Sequence, residues 1–203
     1  MSEAALARYR RETERHIQRV CRFQRSMSAP EWSEKVRRME GGRRFRFEFA
    51  PYQREMMETP YQKDVEITAF MLPARVGKTE VMNNIFGRTI CEDPCNILFM
   101  WPTEKGAEKY SKDTWTRETV EPTPELHQIF GNGTGRRLSG NTLLHKTFPG
   151  GSFTLFGANV PGDARRAKGR VLAADEIDAI IMSADMEGDP LDILWKRGFE
   201  YSD

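Results

Sequence analysis

A glycine, a lysine and a threonine stand side by side where a predicted helix begins, within the segment Leu72 to Glu80 (LPARVGKTE). Gly77 allows a tight backbone turn, so that neighbouring amide N–H groups can face a phosphate. Lys78 brings a positive charge to the outer phosphates, and Thr79 brings a hydroxyl that suits Mg²⁺. Because the helix dipole also attracts anions here, the spacing predicts a phosphate-binding loop. Leu72 replaces the usual first glycine, so a chance Gly-Lys-Thr at a helix start is the alternative.

Two adjacent carboxylates, Asp175 and Glu176, close an apolar strand that begins near Arg170. A carboxylate at the end of such a strand can hold Mg²⁺, so we assign Asp175 to the metal. The next carboxylate can polarise the water that attacks the terminal phosphate, so we assign Glu176 to that water. An acidic helix cap would explain the pair if it stood alone. Downstream of a strand, a Gly-Lys-Thr loop and a helix, it instead predicts hydrolysis of a nucleoside triphosphate.

Three further side chains extend the candidate site. Arg75 lies inside the loop, where it can reach the terminal phosphate of its own or a neighbour's nucleotide, or else pair with Glu80 or a surface acid. Gln53 has an amide that can pair with the edge of adenine, and Tyr52 has a ring that can stack on that base. The candidate residues are then Glu176, Lys78 and Arg75 for catalysis, Thr79 and Asp175 for the metal, and Tyr52, Gln53, Ala74, Arg75, Val76, Gly77, Lys78 and Thr79 for the nucleotide.

The elements that must position these residues alternate between strands and helices, which predicts an α/β domain with a mostly parallel sheet flanked by helices. The stretch 121–140 has two prolines and several glycines and is predicted to be mostly irregular. The predicted helices are Tyr52–Glu58, Lys78–Ile90, Glu104–Glu118 and Leu191–Phe199. The predicted strands are Val65–Leu72, Asn96–Trp101, a hairpin of Thr142–Phe148 with Ser152–Phe156, and Gly169–Ala174.

The composition of the chain excludes several classes of protein. The chain has 203 residues, of which 38% are hydrophobic and 30% charged, and no apolar run approaches the length of a membrane span. The N-terminus carries charges where a secretory signal needs an apolar stretch, so we expect no secretion. Three cysteines are too few for a disulfide framework, and a reducing compartment fits them best.

Positive charge is concentrated at the N-terminus. Residues 1–50 carry a net charge of +6 and residues 51–203 a net charge of −5. We therefore divide the chain into a basic helical arm and linker (1–50) and a nucleotide-hydrolysing domain (51–203), with helices over 3–27 and Glu31–Met39 and a linker or edge strand over Arg43–Phe49. The arm either contacts nucleic acid or an acidic partner, or is a solvated helix.

The order of these motifs resembles one protein family. Pro51-Tyr52-Gln53, Arg75 to Thr79, Leu98 to Thr103 and Asp175-Glu176 follow one another as in the ATPase domain of bacteriophage terminase large subunits. Within that family the chain is most similar to the lambda type, over residues 30–190. The resemblance implies a RecA-like P-loop fold and a motor that uses ATP and Mg²⁺ to drive double-stranded DNA into a preformed capsid.

The resemblance also implies roles and partners. Gln53 would read adenine, and Arg75 and Arg165 would stabilise charge or sense a neighbouring subunit. Arg166 belongs to the same basic cluster as Arg165, which either contacts DNA or a neighbour's ATP or is a solvated loop. The implied partners are double-stranded DNA, a small terminase subunit, the portal or procapsid and further copies of the chain, in the cytoplasm of the bacterial host and not at a membrane.

The resemblance places a coupling strand and a nuclease domain after the strand that ends in Asp-Glu. Neither can be assigned between Ala179 and Asp203, so we expect an ATPase domain that is incomplete at its C-terminal end and has no nuclease activity. Two other interpretations stay open. One is a fragment that only binds nucleotide or assembles with partners, and the other is a different DNA translocase or helicase-like ATPase.

Overall fold

Strands and helices alternate along the chain, as expected of an α/β domain. The computed structural model describes residues 26–135, 141–159, 168–180 and 188–198. Its helices are α1 (Ala29–Lys35), α2 (Gln53–Glu58), α3 (Lys78–Glu92), α4 (Glu104–Lys109), α5 (Pro124–Gly135) and α6 (Pro190–Trp195), and a π-helix (Tyr110–Val120) continues α4. Its strands are β1 (Ile97–Trp101), β2 (His145–Phe148), β3 (Gly151–Gly157) and β4 (Val171–Ala174).

Strand β1 runs through the middle of a four-stranded sheet with the order β2-β3-β1-β4. It pairs in parallel with β3 and β4, while β2 joins β3 in an antiparallel hairpin. The predicted hairpin and the mostly parallel sheet are therefore confirmed. Ile97 and Phe99 of β1 enter one apolar cluster, and Leu98 and Met100 enter another. The sheet is thus covered on both faces, as a continuous apolar strand indicates.

Aromatic side chains fill the larger of the two clusters. The ring of Phe86, on α3, lies 5.1 Å from that of Phe99 and 5.2 Å from that of Phe153, measured between centroids. Trp115 of the π-helix packs edge-on against Phe153 at 4.8 Å. All four side chains are almost fully buried. Burial of this much aromatic surface holds α3, and the loop that precedes it, against the centre of the sheet.

The predicted strand Val65–Leu72 is wrong. This segment forms no ladder with any strand in the described part of the chain. Its apolar residues are not all inward-facing, since Ile67 is 66% and Met71 98% exposed. An apolar run predicts a strand only if a neighbouring backbone is in place to pair with it, and the run itself does not specify that neighbour.

The prediction that 121–140 is mostly irregular is also wrong, because α5 occupies Pro124–Gly135. Pro124 stands at its first position, where a proline needs no N–H partner. Leu126, Ile129 and Phe130 follow at helical spacing and pack on the main core. Their burial offsets the low helix propensity of the glycines nearby.

The other predicted helices occur with shifted ends. The helix predicted over Glu104–Glu118 begins as α4 and changes to π-helical geometry at Tyr110. Within it, the hydroxyls of Thr116 and Thr119 donate to carbonyls five residues earlier, at 2.7 and 2.9 Å. Among the residues that the structure describes, no helix is long and apolar enough to span a lipid bilayer.

The segment before α2 packs into the same core as the sheet. Ser28 caps α1 in a capping box with Glu31, and Trp32 is fully buried. The predicted linker or edge strand Arg43–Phe49 forms one antiparallel bridge, between Arg44 and Arg38, and ends in a short 3₁₀ turn, Phe47–Phe49. Another 3₁₀ turn, Glu40–Gly42, precedes it. The arm helix predicted over 3–27 lies outside the described part except at residues 26 and 27, which are not helical, and the boundary at residue 50 stays a prediction.

Candidate active site

The predicted phosphate-binding loop leads directly into α3. Gly77 caps the helix in the left-handed region, with φ +81° and ψ +27°. Arg75 also has a positive φ, +66°, which is costly for a residue with a side chain. Lys78 Nζ donates to the carbonyl of Leu72 at 3.2 Å, so its side chain reaches back to the residue that begins this segment. The loop therefore has the tight backbone turn that Gly77 predicted, with additional strain at Arg75.

Thr79 and Asp175 join the two predicted motifs. The hydroxyl of Thr79 donates to Oδ2 of Asp175 at 3.2 Å. Asp175 follows β4 directly, is only 8% exposed, and donates its backbone N–H to the carbonyl of Met100 on β1 at 3.1 Å. The carboxyl end of the sheet thus brings together side chains 96 residues apart.

Glu176 sits in a strained backbone position beside this pair. Its φ of +51° and ψ of +44° are left-handed, and its backbone N–H donates to Oδ1 of Asp175 at 2.9 Å. The residue is exposed and precedes the short 3₁₀ turn Ile177–Ala179. A left-handed non-glycine residue costs roughly 1–2 kcal/mol, and such strain is concentrated at functional sites.

Tyr52 and Gln53 contact the loop itself. The Tyr52 hydroxyl donates to the carbonyl of Val76 at 2.8 Å, and Gln53 Nε2 donates to the same carbonyl at 3.2 Å. A Cβ on Gly77 would lie 2.3 Å from Gln53 Nε2. The structure therefore brings both predicted base-binding residues to the phosphate loop, and their contact with adenine stays a prediction.

Of the three arginines predicted to belong to the site, the structure describes only Arg75. Arg75 is exposed, and the acid that the sequence offered it, Glu80, pairs with Arg37 instead. Arg165 and Arg166 lie outside the described residues. Ala74, like Arg75, is on the exposed side of the loop.

Sequence reasoning missed a buried polar group behind the loop. Arg37 Nη2 lies 2.9 Å from Glu80 Oε1, and the Tyr110 hydroxyl donates to Asn83 Oδ1 at 2.6 Å. Burial, then the charges of Glu80 and Asp175, raise the pKa of Tyr110 well above its usual value, so the phenol stays protonated. The sequence carried no signal for this group, because Arg37 stands among many arginines of the basic N-terminal segment.

Comparison with known proteins places the chain in a family. The model of the ATPase domain of phage terminase large subunit gpA matches residues 40–203. The chain belongs to this family. The resemblance seen in the motif order is thereby confirmed, and the four-stranded α/β sheet with its flanking helices is compatible with a P-loop ATPase domain.

The chain is also similar to one curated relative. The terminase large subunit of Escherichia phage lambda is 27% identical over 146 residues, which are 71% of this chain and 22% of that relative. The chain thus spans less than a quarter of the length of the lambda terminase large subunit. No solved structure matches the chain.

Proposed function

We propose that this chain binds ATP with Mg²⁺ and hydrolyses it, as the motor domain of a terminase that packages double-stranded DNA. The observation that carries the proposal is the hydrogen bond between Thr79 and Asp175. It joins the Gly-Lys-Thr loop to the Asp-Glu strand at the carboxyl end of a parallel sheet, which is where ligands bind in open α/β folds. A RecA-like P-loop core accounts for that arrangement.

The Thr79 and Asp175 side chains fit a magnesium ion. A hydroxyl and a carboxylate are hard oxygen donors, and Mg²⁺ is typically held by one or two such groups together with substrate phosphates and water. Thr79 and Asp175 would hold the ion, which would supply positive charge to the phosphate oxygens. Asp175 accepts hydrogen bonds on both of its oxygens, which fixes the orientation of its carboxylate.

The loop residues would bind the phosphates. The N–H groups at the start of α3 face outward from a helix whose positive end lies at Gly77. Lys78 would release the Leu72 carbonyl and donate to a phosphate oxygen, which is a stronger, charge-assisted bond. Arg75, exposed on the same loop, would stabilise the charge that develops on the transferred group.

Glu176 would accept a proton from the attacking water. It is exposed, adjacent to the metal-binding Asp175 and held in a strained conformation, which are the properties expected of a positioned general base. Tyr52 and Gln53, anchored on the loop, would hold the adenine base over it.

The packaging role rests on family membership. A terminase motor would act on double-stranded DNA together with a small terminase subunit, the portal or procapsid and further copies of itself, in the cytoplasm of the bacterial host. The basic excess of residues 1–50 would contact DNA or the small subunit.

The test compares ATP hydrolysis and ATP binding in the purified 203-residue chain, with and without double-stranded DNA. We expect the chain to hydrolyse ATP, Glu176→Gln to bind ATP but lose about 10²-fold or more in rate, and Lys78→Ala to lose binding. Lys105→Ala, an exposed lysine on α4, is the matched control. Equal hydrolysis by the parent chain and Glu176→Gln would refute the catalytic assignment, and binding without hydrolysis would favour a nucleotide-binding fragment.

A further inference from the structure

Arg37 joins three elements behind the phosphate loop. It lies just after α1, and its side chain is fully buried. Nη2 lies 2.9 Å from Glu80 Oε1 on α3 and donates to Thr119 Oγ1 at 3.3 Å. Nη1 donates to the carbonyl of Glu118 at 3.0 Å, near the end of the π-helix, and to the carbonyl of Arg38. One guanidinium thus connects the first turn of α3 to the end of the π-helix.

Arg37 comes from a basic segment of the chain, yet its guanidinium is buried and paired with a carboxylate. Burial lowers the pKa of Arg37, and the neighbouring Glu80 carboxylate opposes that shift, so the guanidinium stays charged. A buried charge is tolerated when it is paired and hydrogen-bonded, and removing one partner is strongly destabilising. The cation also suits the end of a helix, where unpaired carbonyls gather.

The position of Glu80 makes this contact relevant to the active site. Glu80 directly follows Thr79 on α3, and consecutive helical side chains point about 100° apart around the axis. With Glu80 fixed on Arg37, the rotation of this helical turn is set, and Thr79 is directed to Asp175. A second contact fixes the next turn of α3, because Asn83 accepts a hydrogen bond from Tyr110 at the start of the π-helix.

We propose that Arg37 is a positioning residue for the metal site: it holds the first turn of α3 at the rotation that brings the Thr79 hydroxyl to Asp175. This rests on the proposed function of the Thr79–Asp175 pair as the Mg²⁺ site. Arg37 lies behind that site and acts through Glu80. Arg37 therefore affects the Mg²⁺ concentration that nucleotide binding requires, in addition to any effect on the stability of the fold.

The experiment must separate positioning from stability, so it removes both charges. In Arg37→Met/Glu80→Met neither charge is left unpaired, and apolar replacement of a buried ion pair is often neutral for stability. The readouts are the Tm and the Mg²⁺ concentration for half-maximal ADP binding by calorimetry. We expect a Tm close to that of the parent chain and a half-saturating Mg²⁺ concentration raised about 10- to 100-fold, as for other residues that orient metal ligands.

Two further variants complete the experiment. The first keeps the test decisive if the double variant does not fold, and the second is a control. Arg37→Lys keeps the charge but not the fork of donors, so its half-saturating Mg²⁺ concentration should lie between those of the parent and the double variant. Arg46→Met removes an arginine from an exposed pair with Glu48 and should leave the Mg²⁺ dependence unchanged.

The outcomes distinguish this proposal from the proposed function. Mg²⁺-dependent ADP binding by the parent chain, with the same Mg²⁺ dependence in Arg37→Lys and the folded double variant, would overturn the positioning role alone. Failure of the parent chain to bind ADP at any Mg²⁺ concentration would overturn both. A shifted Mg²⁺ dependence with an unchanged Tm would support the positioning role.

Discussion

The indole of Trp32 lies directly on the backbone of Gly87. A Cβ built on Gly87 would lie 2.3 Å from Cη2 of Trp32 and 2.8 Å from its Cζ3. Gly87 is inside α3, and Trp32 is on α1 and fully buried. The contact lets the segment before residue 50 approach the helix that follows the predicted phosphate loop, and only glycine permits it.

Replacing Gly87 with alanine should therefore destabilise the chain although it improves the helix propensity of α3. The new methyl group meets a buried indole that cannot move aside freely, and overpacking of this kind costs about 1–3 kcal/mol. For a chain of this size, the Tm should fall by roughly 2–4 °C for each kcal/mol. Thermal unfolding followed by circular dichroism measures the change.

Gly131→Ala is the matched control for that variant. Gly131 is also inside a helix, α5, but its Cβ would make an ordinary contact of 3.4 Å with His127. Alanine should be neutral there or stabilising by up to about 1 kcal/mol, because it lowers the backbone entropy lost on folding. Equal Tm changes in the two variants would show that the Trp32 contact does not constrain Gly87.

Gly77→Ala should lower the affinity for ATP in addition to lowering the stability of the fold. The φ of +81° disfavours alanine by roughly 1–2 kcal/mol, and the new Cβ would displace the Gln53 amide from the loop. Gly41→Ala is the control, since its φ is +75° and nothing lies within 4 Å of its Cβ. We expect similar losses of Tm but a loss of ATP affinity in Gly77→Ala only; equal ATP affinities would contradict a role of this glycine in the loop.

Asp175→Asn should impair the response to magnesium. The amide keeps the shape of the side chain but removes the charge that would attract Mg²⁺, so the Mg²⁺ concentration for half-maximal hydrolysis should rise by about tenfold or more. Asp178→Asn changes an exposed carboxylate three residues away and should have little effect. Titration of ATPase rate against Mg²⁺ measures both variants, and parallel curves would argue against Asp175 as the metal ligand.

Cys91 should resist alkylation while the chain is folded. Burial raises the pKa of its thiol to about 12. Only the thiolate is nucleophilic, and at pH 8 a pKa of 12 leaves about one molecule in ten thousand in that form. In a Cys21→Ser/Cys95→Ser variant, iodoacetamide labelling followed by mass spectrometry should be slow in buffer and fast in guanidinium chloride. Fast labelling in buffer would show that Cys91 is accessible.

Several features of the fold and the site could be predicted from the sequence because each depends on only a few neighbouring residues. Gly77 at a helix start, the apolar run of β1 and the hairpin around Pro149-Gly150 each specify a backbone conformation within a few residues. The motif order also predicted the family, which the match over residues 40–203 confirms. Asp175 was placed at the end of a strand from sequence alone, and it follows β4 directly.

The two segments that were predicted wrongly take a structure that depends on residues distant in the sequence. Val65–Leu72 has the composition of a strand but pairs with none in the described sheet. Residues Pro124–Gly135 have the composition of a loop but form a helix, because the core receives the apolar face of α5. In both segments, what lies beside the chain in space decides the structure, and a window of sequence does not contain that information.

The sequence by itself determined which residue types could do chemistry, and their spacing predicted a phosphate loop, a metal-binding carboxylate and an adjacent acid. Only the tertiary structure decided which of these groups meet. Thr79 reaches Asp175 because β4 pairs with β1 and α3 packs on the same sheet, and Arg37 reaches Glu80 because the Trp32–Gly87 contact holds α1 against α3. Contacts across tens of residues depend on how buried surfaces fit, and that fit exists only in the folded chain.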